Sequence, residues 1–249
     1  MHTTNCHQQW SSPPPGLQLQ PDEVHVWRVP LVMPESVLQQ LKHILSEREA
    51  ARAMFFRFIE DRRRWIVAHG VLRIILSRYL CLDPCLLHFD FNPYGKPFLV
   101  SPVQSASLQF NLSHSRDLAL YAFTYTRRVG IDVEYKRTDI DYEAIARVSF
   151  SPNEQAVLHS LPNDVKQEAF YNCWTRKEAY IKARGKGISI PLDQFDVSFL
   201  PGARAALLQS REDPHEMRSW TLQELAPGNG YAGALAVEGS EWNLSCWQY

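Results

Sequence analysis

The stretch Val129-Gly130-Ile131-Asp132-Val133-Glu134 alternates between apolar and acidic residues, and this pattern predicts a β-strand that continues to Tyr135. Side chains alternate across a strand, so the valines and the isoleucine share one face while Asp132 and Glu134 share the other. Two carboxylates about 7 Å apart repel each other unless a cation lies between them. Taken alone, the pattern is typical of a solvated strand face that is partly neutralised by the nearby Arg127, Arg128, Lys136 and Arg137.

A long helix is predicted from about Lys166 to Arg184, where Gly185 and Gly187 end it. Its buried stripe contains Phe170, Trp174 and Ile181, and Glu178 lies on nearly the same side. Glu178 has two interpretations. In the first, it forms a surface pair with Lys182 that contributes about 0.3–0.5 kcal/mol to stability. In the second, it is a third carboxylate facing a metal ion. Three carboxylates would favour magnesium over zinc.

The remaining elements repeat in the same order in the two halves of the chain. Each half is predicted to contain a strand, a capped helix, a longer helix, a Gly-Lys turn and a hairpin. The fold class is therefore α+β, built from two similar subdomains, residues 22–128 and 129–249, after a flexible leader, residues 1–21. The patterns behind these elements are strands at 24–29, 107–112, 118–124, 219–225 and 231–237, a helix at 62–80, capping boxes at Ser46/Glu49 and Ser151/Glu154, and a turn at 92–95.

Composition excludes several classes of protein. The chain has 249 residues, 45% of them hydrophobic, and a formal net charge of −1. Such a chain can bury a sizeable core and has no general attraction to nucleic acid or anionic membranes. No apolar run of about 20 residues and no secretory h-region is visible. The five scattered cysteines fit reduced thiols, so we expect a cytoplasmic protein. We interpret Cys81, Cys85 and His88 as core packing rather than a zinc site.

Groups that bind anions occur in three places. Six arginines lie between residues 48 and 64, Lys96 lies on a turn bounded by glycine and proline, and Asn111-Leu112-Ser113-His114-Ser115 follows a strand at one turn. Each signal is weak by itself, since arginine runs and polar turns are commonly solvent-facing. Together with carboxylates for a divalent ion, they describe a site for a polyphosphate ligand.

Two long motifs and two short ones give the chain a specific resemblance. Gly130 to Glu134 and Trp174-Thr175-Arg176-Lys177-Glu178-Ala179-Tyr180-Ile181-Lys182-Ala183-Arg184-Gly185-Lys186-Gly187 resemble the signatures of 4′-phosphopantetheinyl transferases. Their spacing of about 40 residues, with Tyr94-Gly95-Lys96-Pro97 and Asn111-Leu112-Ser113-His114 upstream, resembles the larger, surfactin-synthetase-activating (Sfp-like) type. The resemblance runs from about residue 24 to 237.

The resemblance implies the roles of individual residues. Asp132, Glu134 and Glu178 match the magnesium ligands of the family, and Lys182 matches its active-site lysine near the phosphates. Coenzyme A contacts are implied for Arg52, Gly95, Lys96, Pro97, Asn111, Ser113 and His114, together with Asp132, Glu178 and Lys182. Two positions depart from the family pattern. Glu49 stands where Sfp-like members have a further lysine, and Trp65 stands where some have a hydroxyl.

The implied reaction joins coenzyme A to a carrier protein. A serine of an apo acyl or peptidyl carrier attacks the β-phosphorus, 3′,5′-ADP leaves, and the phosphopantetheine arm remains on the serine. Asp132, Glu178 and Lys182 would be catalytic, and either Glu178 or a metal-bound water would take the serine proton. We expect a monomer that binds neither nucleic acid nor membrane. The alternatives are a metal-dependent phosphodiesterase and a carrier-binding module without catalysis.

Overall fold

The N-terminal half begins with one strand, continues with three α-helices and ends with four strands. The computed structural model describes residues 9–100 and 108–249. The capping box at Ser46 is confirmed, because the Ser46 hydroxyl accepts from the Glu49 N–H and the Glu49 carboxylate returns to the Ser46 N–H. The elements are β1 (Glu23–Pro30), α1 (Glu35–His43), α2 (Glu47–Met54), α3 (Ile59–Leu80), β2 (Phe89–Phe91), β3 (Pro97–Leu99), β4 (Leu108–Ser115) and β5 (Leu118–Tyr125).

The C-terminal half follows the same order, with one extra short helix, α7, and one final strand, β11. Its second helix begins with the predicted capping box of Ser151 and Glu154, with Pro152 at the first helical position. The elements are β6 (Val129–Tyr135), α4 (Tyr142–Ser149), α5 (Pro152–Ser160), α6 (Asn163–Arg184), β7 (Phe195–Val197), β8 (Leu207–Ser210), α7 (Glu216–Ser219), β9 (Trp220–Leu225), β10 (Tyr231–Glu238) and β11 (Asn243–Gln248).

The two halves share one sheet topology. Antiparallel strands run in the order β1-β5-β4 in the first half and β6-β10-β9 in the second. A helix of 22 residues packs on each sheet, α3 in the first half and α6 in the second. The predicted α+β class and the repeated element order are therefore confirmed.

The core forms where the two sheets and their helices pack. On β1, Trp27 and Val29 face α3, whereas Val24 and Val26 face the opposite way. The second set joins Ile131 and the other inward-facing residues of the C-terminal sheet in one central cluster. The layers are thus α3, the first sheet, the central cluster, the second sheet and α6.

The chain ends cross between the halves. β11 leaves the C-terminal half and pairs in parallel with β1, so it extends the N-terminal sheet. Ser11 forms a bridge to Trp247 of β11, and Leu19 is buried in the N-terminal core. We predicted residues 1–21 as a flexible leader. Residues 1–8, which include Cys6, lie outside the described residues. Within residues 9–21, Ser11 exchanges backbone hydrogen bonds with Cys246 and Gln248 of β11 and Leu19 is buried, whereas most of the other residues are exposed.

Two local predictions need correction. Cys81 and Cys85 are exposed rather than core residues. Cys81 ends α3 in the left-handed conformation (φ 52°), and Cys85 follows in a short 3₁₀ turn, so only Leu87 of this segment is fully buried. β4 also extends beyond the predicted strand at 107–112, of which Ser107 lies outside the described residues.

The extension of β4 moves a predicted turn into the sheet. Its ladder with β5 continues to the pair Ser115–Leu118, so Asn111 to His114 lie within the strand. Among the described residues, no helix is long and apolar enough to cross a bilayer.

Candidate active site

The two sheets meet along β4 and β6, and polar side chains join them. Asn111 Oδ1 accepts a hydrogen bond from the Ile131 N–H at 2.8 Å. Ser115 Oγ donates to Glu134 Oε2 at 2.8 Å and accepts from the Tyr135 N–H at 3.1 Å. Side chains at alternate positions of β4 therefore accept hydrogen bonds from backbone N–H groups along the edge of β6 that faces β4. The predicted acidic strand lies at this seam, between the two halves of the chain.

Asp132 is the buried centre of the seam. The residue is only 2% exposed. Its Oδ1 accepts from Ser113 Oγ at 2.9 Å and from Lys182 Nζ at 2.6 Å. Its Oδ2 is buried without a hydrogen-bond partner among the described residues. The solvated-face interpretation is therefore wrong for Asp132, which has one neutralising cation and one unsatisfied oxygen.

Gly130 allows α6 to lie directly on β6. A Cβ at this position would meet the Ala179 carbonyl oxygen at 2.1 Å and the Ala183 nitrogen at 2.2 Å. Only a residue without a side chain fits so close to a helix backbone. This contact brings the face of α6 that carries Glu178 and Lys182 over the acidic strand.

The carboxylates of the site influence one another. Burial and, to a smaller extent, the negative charge of Asp132 together raise the pKa of Glu178 to about 7. Burial also raises the pKa of Glu134, again with a contribution from Asp132. In the described part of the chain, Lys182 pairs with Asp132 and not with Glu178. The interpretation of Glu178 as half of a surface pair with Lys182 is therefore wrong.

The donors suit magnesium, although they are not gathered around a vacant metal position. Within residues 9–100 and 108–249, no group of three or more histidine, cysteine, aspartate or glutamate side chains is arranged to hold a metal ion. The ammonium of Lys182 instead pairs with Oδ1 of Asp132. The unpartnered Asp132 Oδ2 and the raised pKa values of Glu134 and Glu178 indicate a local deficit of positive charge. Oxygen donors with such a deficit fit a hard divalent cation.

Ser113 and His114 lie on β4 beside the seam rather than at the predicted turn, and they differ in surroundings. Ser113 is buried and bonds to Asp132 and Lys182. His114 is exposed at the next position of β4. Partial burial of its ring lowers its pKa, and the positive charge of Lys182 lowers it further. A neutral imidazole at this edge can donate one hydrogen bond to a ligand.

Lys96 and its turn lie at the C-terminal end of α6. Lys96 Nζ donates to the carbonyl oxygens of Val129 at 2.9 Å and Lys182 at 2.8 Å. Burial lowers the pKa of Lys96 to about 8, and nearby Arg128 adds to this effect. Gly95 has φ +86°, which explains why glycine occupies the turn. A cavity of about 430 Å³ opens here, lined in part by Lys96, Pro97, Phe110, Arg128 and Gly185.

Glu49 and Trp65, the two residues that depart from the family pattern, each contact other residues of the N-terminal half. Glu49 Oε2 lies 2.7 Å from Nη2 of Arg73, which is 1% exposed, so the glutamate is neutralised from within the protein. Trp65 stacks on His69 at 3.5 Å between ring centroids and donates to the Glu49 carbonyl. Both residues thus have structural partners. Arg52 is exposed in the last turn of α2.

Sequence reasoning missed two features of the site. Ser115 was placed only within a polar turn, and its bond to Glu134 was not foreseen; its spacing of two from Ser113 and four from Asn111 was the available signal. Beside Glu134 lies a second cavity of about 380 Å³. Its walls include Tyr135, Phe170 and Trp174 from different elements, so no local pattern could have revealed it.

Two family models match the chain, one in each half. Residues 128–236 match the 4′-phosphopantetheinyl transferase superfamily, and residues 33–125 match the N-terminal part of 4′-phosphopantetheinyl transferases. These matches define the class of protein to which the fold and the seam correspond.

Curated relatives support the same assignment. The chain is 44% identical to the 4′-phosphopantetheinyl transferase HetI of Nostoc sp., over 96% of this chain and 98% of the relative. It is 35% identical to the 4′-phosphopantetheinyl transferase Sfp of Bacillus subtilis, over 61% of this chain and 64% of that protein. A solved holo-[acyl-carrier-protein] synthase of Thermotoga maritima aligns with 45% of this chain and 62% of its own, at 19% identity and a TM-score of 0.37, a likeness too partial to bear on the fold. The chain belongs to the 4′-phosphopantetheinyl transferase superfamily and is an Sfp-type phosphopantetheinyl transferase.

Proposed function

We propose that the β4–β6 seam is the active site at which this transferase moves the phosphopantetheine arm of coenzyme A to a serine of an apo carrier protein. The observation that supports this most directly is the buried Asp132, held by Ser113 and Lys182 with one oxygen unsatisfied. It lies where both long motifs of the family meet in space. The seam is also open to the cavity beside Glu134.

The reaction exchanges the phosphoanhydride bond of the β-phosphorus for a phosphoester bond. The carrier serine oxygen forms a bond to the β-phosphorus, the bond from that phosphorus to the oxygen bridging the α-phosphate breaks, and 3′,5′-ADP leaves with the bonding electrons. The serine must lose its proton. Glu178 fits this role in its ionised form, because a pKa of about 7 places it near the working pH of a general base. Lys182 would stabilise charge on the phosphates through its ammonium.

Magnesium would be held by Asp132, Glu134 and Glu178. Its chemistry there would be neutralisation of charge on the pyrophosphate and orientation of its oxygens. If Glu178 is a ligand throughout, a water molecule rather than Glu178 accepts the serine proton. The residues of this chain allow both arrangements, since Glu178 lies in the electrostatic field of Asp132 and of Lys182.

The nucleotide end of coenzyme A would lie across the seam. Ser113 and His114 would contact its phosphates, and exposed Arg52 would bind the 3′-phosphate as a charged partner. Gly95, Pro97 and Asn111 would shape this side through their backbones, since the Asn111 side chain is engaged by Ile131. The largely apolar cavity beside Glu134 suits the uncharged pantetheine arm.

We also propose a cytoplasmic monomer that binds neither nucleic acid nor membrane. Cys81 and Cys85 are exposed thiols and Cys173 is a buried one, which fits a reducing compartment. Both halves of the seam come from one chain, so a second copy is not needed to complete it. Sedimentation at assay concentration tests this, since activity confined to a dimer would contradict it.

One assay separates the proposed function from its alternatives. The protein is incubated with coenzyme A, magnesium and an apo carrier protein, and the carrier is weighed by mass spectrometry. We expect a mass gain of one phosphopantetheine arm, with equimolar 3′,5′-ADP, and none with Asp132→Asn. A phosphodiesterase would release 3′,5′-ADP without modifying the carrier. A carrier-binding module would change neither, and either outcome would overturn the proposal.

A further inference from the structure

The C-terminal end of α6 is held by a turn from the other half of the chain. Helix α6 belongs to the C-terminal half and carries Glu178 and Lys182. The turn between β2 and β3, residues 92–96, belongs to the N-terminal half. Asn92 Nδ2 donates to the Gly185 carbonyl at 2.7 Å. Carbonyls at a helix end have no partner within the helix, so a group from elsewhere must satisfy them.

Lys96 makes the remaining contacts of this turn. Its Nζ lies 2.9 Å from the Val129 carbonyl oxygen, 2.8 Å from that of Lys182 and 3.5 Å from that of Ala183. A lysine ammonium has three N–H donors. Three backbone carbonyls are thus within reach of three donors, and none is left to face a phosphate.

The turn is itself fixed before it meets the helix. Asn92 Oδ1 accepts from the N–H groups of Tyr94 and Lys96, each at 2.9 Å. The same side chain therefore shapes the turn with its oxygen and binds the helix with its nitrogen. Gly185 ends α6 in the left-handed conformation (φ 67°), and a Cβ there would lie 3.4 Å from both the Asn92 and the Lys96 side chains.

We propose that Asn92 and Lys96 are positioning residues for α6, which set where Lys182 and Glu178 stand relative to β6. Lys182 is held at both ends, its backbone carbonyl by Lys96 and its ammonium by Asp132. Val129, the other partner of Lys96, immediately precedes the glycine on which α6 rests. One ammonium therefore ties the beginning of β6 to the end of α6. Helix ends otherwise fray, and a small displacement of a catalytic group is costly.

This inference rests on the proposed function and replaces the phosphate contact that the resemblance implied for Lys96. The two roles differ in what they predict. A phosphate contact acts on the binding of coenzyme A, whereas a positioning role acts on the geometry of the transfer step. Asn92 separates the two roles further, because it is uncharged and its side-chain nitrogen donates to the Gly185 carbonyl. A loss of activity on its substitution therefore favours positioning over a phosphate contact.

The test compares kcat and KM for coenzyme A in Lys96→Met, Asn92→Asp and the control Lys186→Met. Lys186 is an exposed lysine just beyond α6 whose ammonium pairs with Glu212. We expect kcat to fall about tenfold or more in the first two variants, with KM changed less than about threefold, and no change in the control. Asn92→Asp keeps the oxygen that shapes the turn, loses the donor to Gly185 and sets a carboxylate oxygen against the Gly185 carbonyl.

Hydrogen–deuterium exchange provides a readout independent of activity. In folded Lys96→Met and Asn92→Asp proteins, we expect faster exchange at amides 181–187 and unchanged exchange elsewhere in α6. A rise in KM for coenzyme A in Lys96→Met alone, with unaltered exchange, would overturn the proposal in favour of a phosphate contact. If the wild-type protein transferred nothing, the proposed function would fail, but the exchange measurement would still decide whether the turn holds the helix.

Discussion

The ammonium of Lys182 lies 2.6 Å from Oδ1 of Asp132, which joins α6 to the acidic strand β6 at the seam between the two sheets. Ser113 bonds to both groups, at 3.0 Å from Lys182 Nζ and 2.9 Å from Asp132 Oδ1. The pair is asymmetric, because the aspartate side chain is 3% exposed and the lysine side chain 29%. The lysine can therefore turn towards an incoming phosphate while Asp132 stays in place.

Glu178→Gln should remove transfer and spare the fold. The change keeps the volume and helix propensity of the side chain but removes a negative charge that a metal ligand or base requires. We expect transfer to fall by at least about 10²-fold, within the range of general acid–base effects. Carrier modification at varied magnesium measures it, with melting as a check on folding. Glu168→Gln, on the exposed side of α6, is the matched control. Near-normal transfer by folded Glu178→Gln would exclude Glu178 from the site.

The stability of the metal-free protein should depend on the ionisation of Glu178. Its pKa is about 7 in the folded protein against an ordinary 4.5. The folded state therefore binds this proton more tightly, and its contribution to the free energy of unfolding is present below pH 4.5 and lost as the pH rises through 7. Relative to Glu178→Gln, the wild-type protein should lose stability between pH 4.5 and 7 in a chelator. Urea titrations across this range measure the difference, and a difference that does not vary with pH would contradict the burial of this carboxylate.

Gly130→Ala should disrupt the contact between β6 and α6. The new Cβ would overlap the backbone of Ala179 and Ala183, and a helix backbone cannot move aside as a flexible side chain can. We expect a loss of about 3 kcal/mol in the free energy of unfolding, as for severe overpacking. Gly16→Ala is the control, because a Cβ at Gly16 would meet nothing within 4 Å. Equal melting temperatures for the two variants would show that the packing of α6 on β6 is looser than described.

Arg52→Ala should weaken the binding of coenzyme A without altering the transfer step. Loss of one charge-assisted phosphate contact costs about 1.5–3 kcal/mol, which corresponds to about a 10- to 150-fold rise in KM. Arg147→Ala, an exposed arginine on α4, is the charge-matched control. The defect should disappear when 3′-dephospho-coenzyme A is the substrate for both proteins. An unchanged KM for coenzyme A would exclude Arg52 from the nucleotide site.

Local patterns in the sequence determined the longer elements that carry the site and the family of this protein, whereas short strands such as β2, β7 and β11 were not predicted. The alternation at Val129–Glu134, the capping boxes at Ser46 and Ser151, and the glycine after Arg184 each follow from interactions within a few residues, and all of these predictions match the structure. The same locality limited the interpretation of single groups. No pattern near Glu49 indicates that Arg73 neutralises it, since these residues meet only because α2 packs on α3.

Tertiary structure decided which of the chemically suitable groups act together. The sequence left Glu178 between a surface pair and a site carboxylate, because Lys182 lies one helical turn away in either case. The packing of α6 on Gly130 directs Lys182 to Asp132 and leaves Glu178 half-buried with a raised pKa. Lys96 shows the same principle. Its charge suggested a phosphate contact, but its place beside the end of α6 directs its donors to backbone carbonyls, because unpaired carbonyls at a helix end must be satisfied.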